Sequence, residues 1–184
     1  GRTQEQHGVR DVGQILDGEL PTLAESFRAA GYATAAFLQN KLVTRETGLA
    51  RGFDEWQEFP GEARALLLPA LERFLAQPRA KPLFVYVHLL PPHAPYQPPP
   101  EFAGRFGAPK GPADGSVAFL GELAHRQPGA ADPHVAAMRA LYDNHVAYAD
   151  SLAGTVAGLV FARGRESSSL LFLSDHGEAF GQHD

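Results

Sequence analysis

The apolar run Leu170–Leu173 is the feature that most constrains the fold of this chain, because it has no polar face. Such a run is typical of a strand in the middle of a parallel sheet, where ligands collect at the carboxyl ends of the strands. The run leads directly into Ser174, Asp175 and His176. We therefore predict a buried strand that ends in two side chains able to hold a metal ion.

Helix and strand patterns alternate along the rest of the chain. Thr22 and Glu25 form a capping box at the start of one helix, and Asp132-Pro133 has the N-cap and first-turn residues of another. The order predicts an α/β fold, with a mainly parallel central sheet flanked by helices. The predicted elements are a helix over 22–30, a strand over 32–38, a helix over 62–76, a strand over 83–89, a long helix from 133 to Gly164 and a strand from 169.

Residues 97–131 interrupt this alternation. They are rich in Gly and Pro and contain only a weak apolar cluster at Val117–Leu123. A segment of this length without clear structure is either a functional loop over a site or an insertion. We expect residues 1–184 to belong to one catalytic domain that carries this loop.

Composition excludes several classes of function. The net charge is −5, and no run of basic residues is longer than a dipeptide, so the positive surface needed for nucleic-acid binding is missing. The chain has no Cys, which excludes thiolate metal sites and thiol nucleophiles within it. No apolar stretch approaches the ~20 residues of a membrane span.

Asp175 and His176 are the sharpest candidates for metal ligands, since a carboxylate oxygen and an imidazole nitrogen suit a divalent cation. Neighbouring side chains on a strand point to opposite faces, so both can reach one ion only if the chain turns after Ser174. Gly177 would permit that turn. An ordinary strand-to-loop junction, with an Asx-turn aspartate and a surface histidine, explains the pattern equally well.

Two histidines lie at the carboxyl end of the strand over 83–89, one as its last polar residue and one after it. His88 fits a half-buried strand residue better than a ligand, whereas His93 lies between prolines, where we expect its ring to be exposed. Either could bind a metal or contact an anionic substrate. His183 and Asp184 at the end of the chain could extend the site.

Common catalytic signatures are absent: H-E-x-x-H, the Walker A loop, G-x-S-x-G and G-x-G-x-x-G do not occur. Instead, several blocks of the chain resemble the sulfatase family of the alkaline phosphatase superfamily, and they occur in the same order as in that family. The last block, LFLSDHGEAFGQHD, is similar to the second metal-binding motif of that family. The other blocks cover residues 7–10, 22–37 with the turn Gly52-Phe53-Asp54, 83–99 and 142–154.

The resemblance implies hydrolysis of a sulfate ester at a divalent cation. Asp175 and His176 would be metal ligands, with Ca2+ the preferred ion and Mn2+ or Zn2+ as alternatives. His93 would contact the substrate oxyanion or the leaving group. Many sulfatases carry Asn where this chain has His176, which brings phosphonate and phosphodiester hydrolases into the comparison. Lys41 or Asn40 would stand where family members use a Lys near the sulfate.

The family's nucleophile, a formylglycine, and its first pair of metal-binding aspartates would lie upstream of Gly1. We therefore expect this chain alone to be inactive. The expected substrate is a small-molecule or glycan sulfate ester, or a related phosphate ester. The alternatives are a phosphonate or phosphodiester hydrolase, a phosphoethanolamine-type transferase, and a non-catalytic binding domain that keeps the fold. A periplasmic, extracellular or membrane-anchored location is common in the family.

Overall fold

A computed structural model of the protein describes residues 3–60, 63–109, 111, 113–126, 128–129 and 131–180. His183 and Asp184 lie outside these described residues. The chain divides into two compact units, Gly1–Leu90 and Pro91–Asp184.

The first unit is built on a sheet of three parallel strands. These are β1 (Ala33–Leu38), β2 (Glu55–Glu58) and β3 (Leu83–His88), in the order β2-β1-β3. In the centre, the residues of β1 are almost all buried, which suits its run of apolar side chains. Leu38 pairs with Glu58 on one side and with His88 on the other. The carboxyl ends of all three strands therefore lie level along one edge.

Three helices belong to this unit: α1 (Gln4–His7), α2 (Leu23–Ala29) and α3 (Leu68–Ala76). Phe27 of α2 stacks on Phe84 of β3, with 4.2 Å between the ring centroids. Phe74 of α3 meets Phe37 of β1 edge-on, with 5.4 Å between the ring centroids. Phe84 pairs with Thr34, three residues from Phe37, so the two contacts lie on opposite faces of the sheet. Helices thus cover both faces, as expected for an α/β fold. A 3-10 turn at Arg45–Thr47 and a π-helical turn at Ala63–Leu67 complete the unit.

The predicted capping box of α2 is confirmed. The Thr22 amide donates to Glu25 Oε2 at 2.7 Å, and the Glu25 amide donates to Thr22 Oγ1 at 3.1 Å. These reciprocal bonds satisfy two amides at the helix start. The boundary at residue 22 could therefore be read from sequence alone.

The turn Gly52-Phe53-Asp54 is fastened to the buried residue Thr34 of β1. The Thr34 hydroxyl donates to the Gly52 carbonyl at 2.6 Å and accepts from the Asp54 amide at 2.9 Å. β2 follows this turn directly. Its sequence, EWQE, carries no apolar alternation, which is why the sequence analysis missed this short edge strand.

The second unit contains α4 (Val117–Arg126), α5 (Pro133–Phe161) and a 3-10 turn at Arg165–Ser167. The predicted start of α5 is confirmed, because Asp132 Oδ1 accepts from the His134 amide at 2.8 Å and Pro133 occupies the first turn. The buried residues of α5 recur every three or four positions, as expected for one packed stripe. They include Val135, Met138, His145, Tyr148, Leu152 and Val156.

Residues 97–131, predicted to lack clear structure, contain α4 and are fastened to α5. The side chain of buried Asn144 accepts from the Phe106 amide at 2.8 Å and donates to the Gly107 carbonyl at 2.9 Å. The Tyr96 amide donates to the Gly115 carbonyl at 2.7 Å. The described residues of this segment therefore include a helix and make hydrogen bonds to α5 and to Tyr96.

The predicted strand at 169–173 is wrong. Among the described residues the sheet contains only β1, β2 and β3, and no ladder includes the run. Leu170 is 43% exposed, Leu171 81%, Phe172 73% and Leu173 76%. An apolar run forms a strand only where a neighbouring strand pairs its amides and carbonyls, and periodicity does not supply that neighbour.

Replacing Gly52 by Ala tests how tightly the turn Gly52-Phe53-Asp54 packs against α2. Gly52 has φ of +86°, and an added Cβ would overlap the Glu25 amide nitrogen and lie 2.6 Å from the Ala24 carbonyl carbon. Gly31 has a similar φ of +89° but nothing within 4 Å. We expect Gly31→Ala to lower the free energy of unfolding by about 1 kcal/mol and Gly52→Ala by at least about 3 kcal/mol. Urea unfolding of both variants measures this, and equal losses would contradict the packing argument.

Candidate functional site

The carboxyl edge of the sheet carries the polar segment that follows β1. The Gln39 amide donates to the His88 carbonyl at 3.1 Å, and Gln39 Oε1 accepts from the Leu90 amide at 3.0 Å. These bonds join the chain after β1 to the chain after β3. Ligands of parallel sheets bind at such an edge, so the adjacent residues are candidate binding groups.

Lys41 and Asn40 differ in their availability for a ligand. The Asn40 side chain accepts from the Leu42 amide at 2.8 Å, which uses its oxygen to close a local turn. Lys41 is exposed. A shallow pocket beside these residues is lined by Leu38, Gln39, Asn40, Lys41, Thr44, Glu58, Phe59 and Pro60. Of the two alternatives left open by the sequence, only Lys41 carries a positive charge, and its side chain forms no ion pair with the residues that the structure describes.

His88 and His93 fall in different units. His88 ends β3 in the first unit and is half-buried, as the sequence indicated. His93 lies in the second unit and is exposed, again as predicted. Its Nδ1 lies 2.6 Å from the Ala94 carbonyl oxygen. Because a carbonyl only accepts, Nδ1 carries the hydrogen and Nε2 is left for a substrate.

Asp175 and His176 lie together in an exposed loop, where the chain bends at Asp175. One carboxylate oxygen, Asp175 Oδ1, accepts from the His176 amide at 3.1 Å. The other, Oδ2, lies 3.9 Å from His176 Nε2. The predicted turn after Ser174 therefore exists and brings the two side chains to one side of the backbone. Gly177 does not create it, because its φ lies outside the left-handed region.

The hydrogen bonds of His176 orient its ring. Nδ1 lies 3.0 Å from the Gly177 carbonyl oxygen, so this nitrogen donates and Nε2 is turned toward Asp175. The bond to Gly177 and the Asp175 carboxylate raise the pKa of His176 above its ordinary value. Histidines that bind metals commonly donate their second ring nitrogen to a carbonyl in this way.

The donor geometry fits a divalent cation. Oxygen and nitrogen ligands lie about 2.0–2.6 Å from such ions, which separates neighbouring donors by roughly 3–4 Å in tetrahedral or octahedral arrangements. The 3.9 Å between Asp175 Oδ2 and His176 Nε2 falls in this range. Within the described ranges, no group of three or more His, Asp or Glu side chains converges. The described part of the loop therefore offers two potential ligands, Asp175 and His176.

Buried aromatic residues beside this loop were missed by the sequence analysis. Phe180 is buried and its ring packs against Tyr142 at 5.2 Å and Tyr96 at 6.2 Å. Tyr96 meets Tyr142 edge-on at 5.4 Å. The helical spacing of α5 marks Tyr142 as a packed residue, but no local pattern marks Tyr96 or Phe180, and the three rings come from separate segments of the chain.

His145 is buried against two of the tyrosines. Its ring is parallel to that of Tyr148, with 5.9 Å between the centroids, and meets the ring of Tyr96 edge-on, with 6.4 Å between the centroids. Burial lowers the pKa of His145, although a hydrogen bond to the Pro92 carbonyl opposes part of this effect. Pro92 immediately precedes His93, so the imidazole of His145 supports the turn that carries this candidate residue.

In the part of the chain that the structure describes, even the 29-residue α5 lacks an apolar stretch sufficient to span a bilayer.

Comparison with known proteins identifies the family of the chain and a solved structure with a similar fold. A family model described as Sulfatase matches residues 1–184. Among solved structures, the phosphonate monoester hydrolase of Agrobacterium radiobacter has a TM-score of 0.60 at 17% identity, covering 88% of this chain and 48% of that chain. The chain thus spans about half of that protein, and the likeness shows the fold.

A second solved structure is that of a protein in complex with its substrate D-glucosamine-2-N,6-O-disulfate. Its TM-score is 0.49 at 18% identity, with coverage of 85% of this chain and 42% of that chain. Among curated proteins, none matches the chain.

The burial of His145 predicts a pH dependence of stability. Its folded pKa is below the unfolded value of about 6.5, so the unfolded chain takes up a proton first as the pH falls. The stability present above about pH 6.5 is therefore lost as the pH drops through this value toward the folded pKa. We expect the melting temperature to fall between about pH 7.5 and about pH 5.5, and His145→Gln to flatten this slope.

The control is His125→Gln, which replaces an exposed histidine on α4. This variant should keep the slope of the parent protein. An unchanged slope in His145→Gln would show that its burial does not govern the acid side of the stability curve.

Proposed function

Because the chain belongs to the sulfatase family, we propose that it carries part of the active site of a metal-dependent hydrolase that cleaves sulfate esters. The expected substrate is a small-molecule or glycan sulfate. The observation that carries the proposal is the pairing of Asp175 Oδ2 with His176 Nε2 at 3.9 Å in an exposed loop. This arrangement places one carboxylate and one imidazole on the same side of the loop.

Asp175 and His176 would bind a divalent cation, with Ca2+ as the first choice and Mn2+ or Zn2+ as alternatives. The bound cation would neutralise charge that builds on the non-bridging oxygens of the ester. Its remaining ligands, and a formylglycine nucleophile, would come from residues outside this chain. The bonds to the His176 amide and to the Gly177 carbonyl support the proposal, because they fix both donors before the ion arrives.

His93 would act on the leaving group. Its Nδ1 is held by the Ala94 carbonyl, so Nε2 would present the proton that the departing oxygen needs when the ring is charged. Lys41 would attract the negative substrate from the carboxyl edge of the first unit. These two roles rest on exposure and chemistry, and each can be tested without loss of the metal site.

A phosphonate or phosphodiester hydrolase is the second candidate. His176, where many sulfatases have Asn, favours it, because imidazole widens the range of metals that the site accepts. Both chemistries need the same charge stabilisation at a tetrahedral centre. The substrate profile decides between them.

Removing the proposed ligands should abolish metal binding. In the whole protein, we expect Asp175→Ala or His176→Ala to weaken binding of Mn2+ by at least about 100-fold, since each removes a direct ligand. Calorimetric titration with Ca2+, Mn2+ and Zn2+ measures this and ranks the ions. Asp150→Ala, which removes an exposed carboxylate of α5, is the matched control and should bind as the parent does. Unaltered binding in Asp175→Ala would refute the proposed metal site.

The role of His93 is tested by the leaving group. We expect His93→Ala to reduce kcat by about 100-fold for an alkyl sulfate, whose leaving oxygen needs a proton, and far less for 4-nitrophenyl sulfate. His125→Ala is the control at an exposed position. Equal reductions for both substrates would exclude proton donation by His93.

The same assay with a phenyl phosphonate monoester compares the two candidate activities. A larger kcat/KM for the phosphonate would replace the sulfatase assignment by the second candidate. Lack of turnover with every ester, together with intact metal binding, would favour the non-catalytic alternative.

A further inference from the structure

The pocket at the carboxyl edge of the sheet contains two opposite charges that do not pair. Lys41 and Glu58 both line this pocket, and both side chains are exposed. Within the part of the chain that the structure describes, neither side chain forms an ion pair. The pocket lies wholly within the first unit. It therefore has one positive and one negative group available to a ligand.

The Glu58 carboxylate is held through one of its two oxygens. Oε1 accepts from the Trp56 indole at 2.6 Å and from the Arg45 amide at 2.9 Å. Trp56 lies on β2 and Arg45 begins the 3-10 turn, so these bonds fix the side chain between a strand and a turn. No described residue donates a hydrogen bond to Oε2. Because a carboxylate oxygen only accepts, Oε2 is an oriented acceptor in the pocket.

The pairing of the strands fixes the backbone of Glu58 as well. Glu58 is level with Leu38 at the end of β1, and the Phe59 amide donates to the Leu38 carbonyl at 2.7 Å. The ring of Phe59 stacks on that of Phe37, with 6.4 Å between the centroids. Glu58 therefore belongs to the edge of the sheet where ligands of parallel sheets bind.

The size and the lining of the pocket suit a small polar molecule with a carbon skeleton. Its volume is about 150 Å3, comparable to a cavity that holds one six-membered carbon ring. Leu38, Phe59 and Pro60 provide apolar contact, and Lys41 and Glu58 provide the charged groups. A metal ion does not fit, because the described residues bring no three metal-binding side chains together and the Lys41 ammonium repels cations.

We propose that Glu58 is a specificity-determining residue that selects sulfate esters carrying a hydrogen-bond donor, a hydroxyl or an ammonium group, beside the ester. The inference rests on the proposed function, because that function supplies the anionic ester that Lys41 attracts. Glu58 Oε2 accepts from the donor group of the substrate. A second anion at the same place is repelled by the carboxylate, so esters with two neighbouring sulfates are disfavoured.

The test uses sulfonates, which carry the same kind of anionic group as a sulfate ester but are not hydrolysed at it. The compounds are ethanesulfonate, 2-hydroxyethanesulfonate, 2-aminoethanesulfonate and ethane-1,2-disulfonate, and ligand-observed NMR titration of the whole protein measures their dissociation constants. We expect the hydroxyl and ammonium compounds to bind about 5–10-fold more tightly than ethanesulfonate, since each adds a hydrogen bond to a charged group. The disulfonate should bind no more tightly than ethanesulfonate. The tighter of the two donor compounds identifies the donor that the pocket prefers.

Glu58→Gln isolates the charge of the carboxylate. The amide oxygen can still accept from Trp56 and Arg45, so the melting temperature should stay close to that of the parent. We expect the advantage of the donor compounds over ethanesulfonate to fall by about 3-fold or more, because hydrogen bonds to a neutral group are weaker. Affinity for the disulfonate should rise. Glu72→Gln, which removes an exposed carboxylate of α3 outside the pocket, is the matched control and should keep the parent ranking.

The ranking of the compounds by the parent protein tests the inference even if Glu58→Gln fails to fold. Equal affinity of the parent for ethanesulfonate and both donor compounds would overturn it, and so would a parent-like ranking in folded Glu58→Gln. The expected ranking in a protein that hydrolyses no ester would support the pocket and remove the proposed function alone. Absence of binding by every sulfonate would overturn the inference, whereas turnover of a sulfate ester by that same protein would leave the proposed function standing.

Discussion

Parallel pairing on both sides of β1 is the constraint on which the first unit depends. A strand bonded to two parallel neighbours exposes neither backbone edge, and helices cover both faces of this sheet, so β1 is almost entirely buried and mostly apolar. The register brings Leu38, Glu58 and His88 level at one edge. The polar segment Gln39-Asn40-Lys41 leaves the sheet there: Gln39 is buried and accepts from the Leu90 amide, and Lys41 is exposed. The position of Lys41 is therefore a consequence of how β1 is paired.

The second unit depends on a different interaction, the packing of aromatic rings from separate segments. Tyr96 follows a proline-rich turn, Tyr142 and His145 lie on α5, and Phe180 follows the candidate metal loop. Their rings meet at 5.2–6.4 Å. Such packing fixes short polar loops that have no helix or strand to hold them. The exposed candidate pair at 175–176 is an example, since its hydrogen bonds within the part of the chain that the structure describes are all local.

The elements that sequence predicted correctly are those whose signals are local. Thr22 and Glu25 bond to each other's backbone across three residues, and Asp132 bonds to the His134 amide two residues away. The elements that sequence missed depend on distant partners. β2 is polar and forms only because β1 lies beside it, and Leu170–Leu173 is apolar but pairs with no described strand. The buried Asn144 likewise bonds to residues 106 and 107, far away in sequence.

For the candidate site, the sequence determined the donors. Asp175 and His176 are a carboxylate and an imidazole in any fold, and their adjacency ensures that a single bend can bring them together. A local bend places Oδ2 and Nε2 3.9 Å apart, whereas only the tertiary structure decided that Phe180, further along the chain, packs against Tyr96 and Tyr142. The physical reason is the distance in sequence over which each interaction acts. Donor chemistry and local bends depend on neighbouring residues, whereas burial and ring packing depend on which distant segments the fold brings into contact.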